Sequence, residues 1–482
     1  MKQTEQWLAW INGQEAMPRE GRFFDVLEPA TGTVLASVAQ CGAADVQSAV
    51  SVARQAFDAG VWSNQSATAR GKVLLRLAQL IRDNVDMLAQ WETRQVGKPI
   101  RDSRDEVQTA ANCYEYYAGA ANKLYGHTIP VSASGFDYTL RVPMGVVGLI
   151  VPWNFPFLIT AWKVAPALAT GNSVVVKPAS YTPLTALLLG RLAVEAGLPD
   201  GILNIVPGPG REAGEALVSD RRVDKVAFTG ETATGSRILQ LAAPNITRVS
   251  LELGGKSPTL IFPGVNLDEV ASLAAQSSYA NSGQDCCARS RILVEKSVYE
   301  EFIGYFVKHV ERLTLGDPLD PNNVMGPLVS ASHRQRVARY VEQGLAEGAE
   351  LVLDPSAKVV PPQGFYLGPA VFTQARPEMS IVREEIFGPV TTVQSFESEE
   401  EAVRLANDTP YGLSGSIFSR DIGQALRIVN QIRSGVLSVN SIKSVHLEAP
   451  FGGFKHSGMG RELGMEALDM YTEIKNVFIS TD

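Results

Sequence analysis

Two adjacent cysteines, Cys286 and Cys287, stand in the segment NSGQDCCARSR at a helix-to-strand transition. A cysteine is ordinarily a small buried hydrophobe. Here Gly, Gln, Asp and Ser make the segment polar and turn-like, an environment in which a thiol could face a cavity. A free thiol with a pKa near ~8.5 is only a few per cent thiolate at neutral pH, so a nucleophilic role requires activation by a cation or a backbone dipole. Glu252, in LELGGKSP, ends an apolar strand and precedes two glycines. Burial there would raise its pKa toward the range of a general base; the other reading is a satisfied salt bridge. Asn154, in VPWNFP, follows another strand end. Its amide could donate to an oxyanion or simply hold a turn.

Two glycine clusters could receive phosphates. Gly208, Gly210 and Gly214 lie in NIVPGPGREAG, and Gly230 and Gly235 in KVAFTGETATG, each after an apolar strand and before a helix. Glycine admits close backbone approach, and a helix N-terminus offers unpaired N–H groups at the positive end of its dipole. Tight strand-to-helix turns need glycine as well. The G-x-G-x-x-G spacing is absent, and Ser-Arg rather than Lys-Ser/Thr follows Gly235, which disfavours an ATPase.

The elements that must position these groups are legible as patterns. From Asp45 to Pro99 the chain reads as two helices, one ending at Gly60 and one carrying Leu74, Leu77, Ala78, Ile81, Val85 and Leu88 at helical spacing before Gly97 and Pro99. From Gly145 onward, GVVGLIVP, NSVVVKP, GILNIVP, VDKVAFTG and TRVSLELGG alternate with helical stretches. Continuous hydrophobicity in these runs predicts parallel strands buried on both faces, the pattern of a nucleotide-binding α/β domain. A second α/β block follows Gly255, with strands SPTLIF and SRILVEK and helices around Leu267 to Ser282 and Val298 to Leu313, and runs to about Gly464. Leu124 to Arg141 and the C-terminal YTEIKNVFIST read as strands without partners in either block, for which pairing with another subunit is one explanation.

Length and composition bound the rest. A chain of 482 residues exceeds a single core, which stops growing near ~250–300 residues, so two or three domains are expected. With 43 basic and 51 acidic residues the net charge is −8, which argues against a nucleic-acid surface. Five histidines and four cysteines without ligand spacing predict no metal cluster, and the thiols are expected to be reduced. The N-terminal segment lacks an apolar export signal, and no apolar run is long enough to span a bilayer. A cytoplasmic protein with no membrane partner is the expectation.

Taken in order, VPWNFP, VVVKPAS, FTGETATG, LELGGKSP, GQDCCA, EEIFGPV and APFGGFKHSGMGRE resemble the hallmark segments of the aldehyde dehydrogenase superfamily, across nearly the whole chain. The pattern looks most like the betaine-aldehyde-type and related bacterial members. The resemblance implies a Rossmann-like nucleotide-binding domain (residues 1–123 and 142–254), a second α/β catalytic domain (255–464) and a small β oligomerisation arm (124–141 and 465–482). It implies oxidation of an aldehyde to a carboxylic acid with NAD or NADP, by a homodimer or homotetramer. Cys286, two positions after Gln284, matches the family's nucleophile, Glu252 its general base, and Asn154 with the Cys286 N–H its oxyanion donors. Cys287 is then a non-catalytic neighbour. Lys177 resembles the residue that holds the adenosine ribose, Glu385 the one that holds the nicotinamide ribose, and Phe387 the one that flanks the nicotinamide. Ile150, Val151, Trp153, Ser180, Gly208, Gly230, Glu231 and Leu253 fall where the family lines its cofactor groove. Phe155, Ile159, Trp162, Ser441, Ile442, Lys443 and Phe451 fall on the expected substrate tunnel.

The chain also departs from the family's pattern. Many NAD-preferring members carry a glutamate where this chain has Ser180, and its loss removes a repulsion toward a 2′-phosphate, so NADP is admitted. Glu231 replaces a small serine near the expected pyrophosphate. Ile442 stands where quaternary-ammonium binders usually place an aromatic, and Lys443 disfavours a cationic substrate. Lys443 reads either as a partner for a substrate carboxylate or as a solvated loop residue. Three other functions compete. Coenzyme A acylation is opposed by Glu252. A cysteine hydrolase would need a histidine paired with Cys286, and the sequence shows no such signature. A non-catalytic binding or structural protein is opposed by the joint presence of Cys286, Glu252 and Asn154.

Overall fold

The computed structural model describes residues 6–482. Its first large sheet is built on five parallel strands, β1 (Val146–Ile150), β2 (Ser173–Lys177), β3 (Leu203–Ile205), β4 (Lys225–Thr229) and β5 (Arg248–Glu252). β1, β2 and β4 are buried at every residue, the consequence of helices covering both faces. The spatial order is β5-β4-β1-β2-β3, extended at one edge by Gly458–Met459 and at the other by Ala9–Ile11 and Gln14–Ala16, all antiparallel additions. Strand order reverses between β1 and β4, and such a switch point opens a crevice at the carboxyl ends of the strands. Ile150, Thr229 and Glu252 all lie at those ends.

The second sheet holds β6 (Pro258–Ile261), β7 (Arg291–Glu295), β8 (Ala370–Thr373), β9 (Val390–Phe396), β10 (Ser414–Phe418) and β11 (Val436–Val439) in parallel, with Glu350–Leu353 antiparallel at the edge. The order is Glu350–Leu353, β8, β9, β7, β6, β10, β11. Both sheets are thus mixed only at their margins. Among the described residues, no helix is long and apolar enough to cross a membrane.

Two local expectations need correction. The helix read across Asn84 is two helices, Ala67–Asp83 and Val85–Val96. Asn84 leaves helical geometry (φ −111°, ψ 17°) and its side-chain amide donates to the Leu80 carbonyl at 2.8 Å. The buried stripe Leu74, Leu77, Ala78, Ile81 and Leu88 continues across the break, so periodicity alone cannot reveal it. The helix expected to reach Ser282 stops at Tyr279, because Asn281, Ser282 and Gly283 adopt left-handed backbone conformations. The strands that lack partners in either block pair with each other: Thr472–Ser480 runs antiparallel to Gly135–Pro143 from Thr472–Pro143 to Ser480–Gly135, and Thr128–Ile129 completes a separate three-stranded sheet.

Candidate active site

Cys286 lies on the connection between the Leu267–Tyr279 helix and β7, and the left-handed turn at Asn281–Gly283 aims that connection. Non-glycine residues in this conformation persist only when their surroundings hold them. Here the Asn281 amide donates to the Asn154 carbonyl at 3.0 Å, and the Ser282 hydroxyl to the Gly326 carbonyl at 2.7 Å. Gln284 is fully buried; its side chain donates to the Asn281 carbonyl and accepts from the Val329 N–H. The loop is therefore pinned one residue before Asp285.

The Asp285 carboxylate and the two thiols converge within 4.8 Å of one another. A hydrogen bond with Cys287, then burial, then the nearby Cys287 and Asp285 charges push the Cys286 thiol well above its ordinary pKa. At rest this thiol is protonated, so attack requires removal of its proton.

Glu252 closes β5, held by pairing with Thr229 on one side and Gly458 on the other. Its carboxylate is buried, and Oε2 has no hydrogen-bond partner among the described residues. Burial first, and the Glu462 charge second, raise its pKa well above the carboxylate range; Lys163 and Arg461 oppose the shift. The salt-bridge reading of Glu252 is replaced by a different pairing: Lys163, fully buried, bonds to Glu462. Glu252 is left without a salt-bridge partner among the described residues, a buried acid whose raised pKa favours taking up a proton. The glycines after it are steric requirements. A Cβ on Gly255 would lie 2.5 Å from the Cys286 carbonyl oxygen, and one on Gly254 would lie 2.1 Å from the Glu385 carboxylate.

Asn154 is buried just before the Pro156–Ala169 helix, and one of its amide hydrogens goes to the Gln284 carbonyl at 3.1 Å. An asparagine amide has two hydrogens. The first ties Asn154 to the cysteine loop two residues before Cys286; no acceptor for the second lies within hydrogen-bond distance among the described residues.

Cys286, Cys287, Glu252 and Glu462 line one cavity of about 380 Å³. Phe155, Ile159, Trp162, Ile442, Lys443 and Phe451 line it too. Trp162 and Phe451 pack with ring centroids 5.3 Å apart. Ser441 is turned to its own loop, where its hydroxyl accepts from the Lys443 N–H at 3.0 Å.

On the far side of Cys286, the crevice at the strand ends gathers the expected cofactor residues. Ile150 ends β1, and the Val151 N–H donates to the Lys177 carbonyl. The Lys177 ammonium, buried at the end of β2, donates to the Pro178 carbonyl, and burial lowers its pKa to about 8. The Ser180 hydroxyl donates to the Gly208 carbonyl at 3.1 Å. Gly230 receives β4 and precedes the Thr232–Ala242 helix; its N–H donates to the Glu252 carbonyl. Glu231 is exposed, its carboxylate 3.9 Å from the Arg336 guanidinium. The Leu253 N–H donates to the Ser457 carbonyl. Glu385 accepts from the Gly255 N–H at 2.9 Å, and burial raises its carboxyl to about 7. Phe387, at φ +60°, packs on Trp153 with centroids 5.2 Å apart. A lysine and a glutamate at opposite ends of the crevice, with a helix N-terminus between them, suit two ribose units and a bridging pyrophosphate.

Sequence reasoning missed several residues. Glu462 and Lys163 surround the candidate base, and the available signal was a lysine inside the apolar helix ITAWKVAPAL. His333 bonds to the Phe387 carbonyl at 2.7 Å and lies against Trp153, and burial lowers its pKa. Arg289, also in the cavity wall, stands three residues from Cys286 in the quoted segment and drew no notice there.

The family model described as the aldehyde dehydrogenase family matches residues 16–477. The putative aldehyde dehydrogenase DhaS of Bacillus subtilis strain 168 is 42% identical over 474 residues, covering 98% of this chain and 95% of that protein. The betaine aldehyde dehydrogenase of the same organism is 40% identical over 480 residues, covering 98% and 97%. The NAD+ complex of a Bacillus cereus aldehyde dehydrogenase superposes with a TM-score of 0.97 at 41% identity, covering 99% of this chain and 97% of that one.

Proposed function

The chain belongs to the aldehyde dehydrogenase family and is an enzyme that oxidises aldehydes with NAD(P), and we propose that Cys286 is its nucleophile and Glu252 the base that activates the hydrolytic water. The observation that carries this reading is that Cys286, leading into the second sheet, and Glu252, ending a strand of the first, line one cavity while the Glu252 Oε2 has no hydrogen-bond partner among the described residues.

The Cys286 thiol rests protonated, and its proton passes to solvent in the cavity as the sulfur attacks, so the first step does not require Glu252. The sulfur adds to the aldehyde carbon, and the carbonyl electrons move to oxygen, where the second Asn154 amide hydrogen and the Cys286 N–H donate. When bound, NAD(P) supplies the acceptor for the hydride that leaves carbon. Lys177, Glu385 and the Gly230 turn would hold it. Cys286 is then acylated as a thioester. Glu252 takes a proton from water as the water oxygen attacks the acyl carbon; the carbon–sulfur bond breaks, the departing thiolate takes that proton back from Glu252, and the carboxylic acid leaves.

Pre-steady-state kinetics test this assignment. Glu252→Gln is expected to release about one equivalent of reduced cofactor per site in a burst and then stall at the thioester, and Cys286→Ala to give no burst. Wild-type steady turnover in either variant would overturn it.

Two accompanying features belong to the same reading. The separate three-stranded sheet leaves Phe136, Leu140, Ile474, Phe478 and Ile479 exposed, which supports assembly as a homodimer or homotetramer. All four thiols are free, which suits the reducing cytoplasm.

A further inference from the structure

Arg289 is 4% exposed, yet its guanidinium contacts only neutral acceptors. Nε donates to the Ser416 hydroxyl at 3.3 Å, one terminal nitrogen to the Cys287 carbonyl at 2.7 Å, and the other to the Ser444 hydroxyl at 2.6 Å. Among the described residues, no carboxylate lies within 4.0 Å of it. Other buried cations escape the cost of an unpaired charge: Lys177, Lys225 and Lys256, buried without a carboxylate partner among the described residues, have pKa values lowered by burial to about 8, 7 and 7 and can shed their charge, which a guanidinium cannot. Lys163 is paired with Glu462 and Lys98 with Glu106. Arg291 donates to the Leu405 and Ala406 carbonyls, at the negative end of the Glu399–Asn407 helix. Arg289 has neither an anion nor a helix end.

A buried charge without a counter-charge is costly, and the cost is recovered when an anion arrives. Arg289 and Ser444 both line the cavity that holds Cys286. Lys443, exposed in the same loop, adds a second cation to that wall and has no carboxylate partner among the described residues. The facing wall is apolar: Phe155, Leu158, Ile159, Trp162 and Phe451. The acids of the cavity are otherwise committed. Glu462 is bonded to Lys163, Asp285 accepts from the Cys287 N–H at 2.8 Å, and Glu252 is held toward its neutral form.

We propose that this cavity selects an ω-oxo acid: the aldehyde carbon meets Cys286, a methylene chain lies on the aromatic wall, and the distal carboxylate is bound by Arg289 and Ser444, with Lys443 drawing it in. The proposal rests on the reading of Cys286 as nucleophile. A cationic aldehyde would be opposed by both side chains, and a neutral alkanal would leave the guanidinium uncompensated.

The test compares kcat/KM for four-, five- and six-carbon ω-oxo acids with those for alkanals of equal length, using the intact enzyme and following reduced nicotinamide. The wild type is expected to favour the best oxo acid by about 100-fold, the scale of a buried charge-assisted pair. Reading the oxo-acid to alkanal ratio within each variant cancels any general loss of activity. That ratio should fall to near unity in Arg289→Gln, through KM, and partly recover in Arg289→Lys. Lys443→Gln should give a smaller loss that added salt reproduces in the wild type. The dicarboxylate of matching length should compete with aldehyde in the wild type and lose that competition in Arg289→Gln. Equal use of oxo acids and alkanals by the wild type would overturn the proposal, as would a ratio unchanged by Arg289→Gln. Absence of a burst with every aldehyde would instead remove the Cys286 reading, so the two failures are distinguishable.

Discussion

The Lys163 ammonium is bonded to the Glu462 carboxylate beside the unpaired Glu252, so the candidate base is tuned by an ion pair of which it is not a member. Glu462 raises the Glu252 pKa and Lys163 lowers it. The two substitutions therefore act in opposite senses. Glu462→Gln removes a negative neighbour and leaves Lys163 uncompensated, so the limb of the pH–rate profile that reports the basic form of Glu252 should move to lower pH. Lys163→Met should move the same limb to higher pH. The measurement is the pH dependence of the steady rate after the burst; limbs that move together, or not at all, contradict the account.

Asn154→Ala removes the amide hydrogen left for the oxyanion. Turnover should fall by about 10²–10³, the usual loss for one such donor, with a smaller change in KM. Asn154 also anchors the Gln284 carbonyl, so thermal unfolding should accompany the kinetics. Asn154→Asp retains an acceptor and not the donor, and an equally large fall there assigns the loss to donation.

The hydrogen bond between the two thiols does most to raise the Cys286 pKa. Removing it in Cys287→Ala should lower the Cys286 pKa and increase the thiolate fraction at a given pH. The pH midpoint of inactivation by iodoacetamide should move downward. An unchanged midpoint means that burial alone sets the thiol.

Ser180 presents a neutral hydroxyl, bonded to the Gly208 carbonyl, near the buried Lys177. NADP should be accepted by the wild type, and Ser180→Glu should weaken NADP by about 100-fold or more relative to NAD through like-charge repulsion. Quenching of tryptophan fluorescence by each dinucleotide supplies a binding readout beside kcat/KM. A strong NAD preference that Ser180→Glu leaves unchanged would remove the idea.

The parallel strands were legible because burial on both faces writes itself as unbroken Val, Ile and Leu runs such as SVVVK and GVVGLIV. The ordered motifs made Cys286, Glu252 and the tunnel residues legible, and the structure brings all of those side chains except that of Ser441 to one cavity. What stayed hidden was backbone detail and long-range pairing. Asn84 interrupts a helix without interrupting its apolar stripe, and the left-handed turn at Asn281–Gly283 is a backbone conformation that periodicity does not report. Lys163 and Glu462 meet across 299 positions of sequence. Arg289 was hidden for another reason: an arginine within a polar loop looks solvated until the fold closes over it.

Ser457 ties the strand that carries Glu252 to the second sheet. Its carbonyl accepts from the Leu253 N–H, its hydroxyl donates to the Gly254 carbonyl at 2.6 Å, and the same hydroxyl accepts from the Gly412 N–H just before β10. The antiparallel Gly458–Met459 pairing continues this clasp along β5. A hinge opening between the two sheets would have to unzip the β5 edge first, so the amides of Leu251 to Leu253 should be among the slowest in the molecule to exchange with solvent deuterons. Trp153, His333 and Phe387, which meet through ring contacts and the one hydrogen bond from His333 to the Phe387 carbonyl, carry no such clasp, so exchange at their backbone should be faster than along β5.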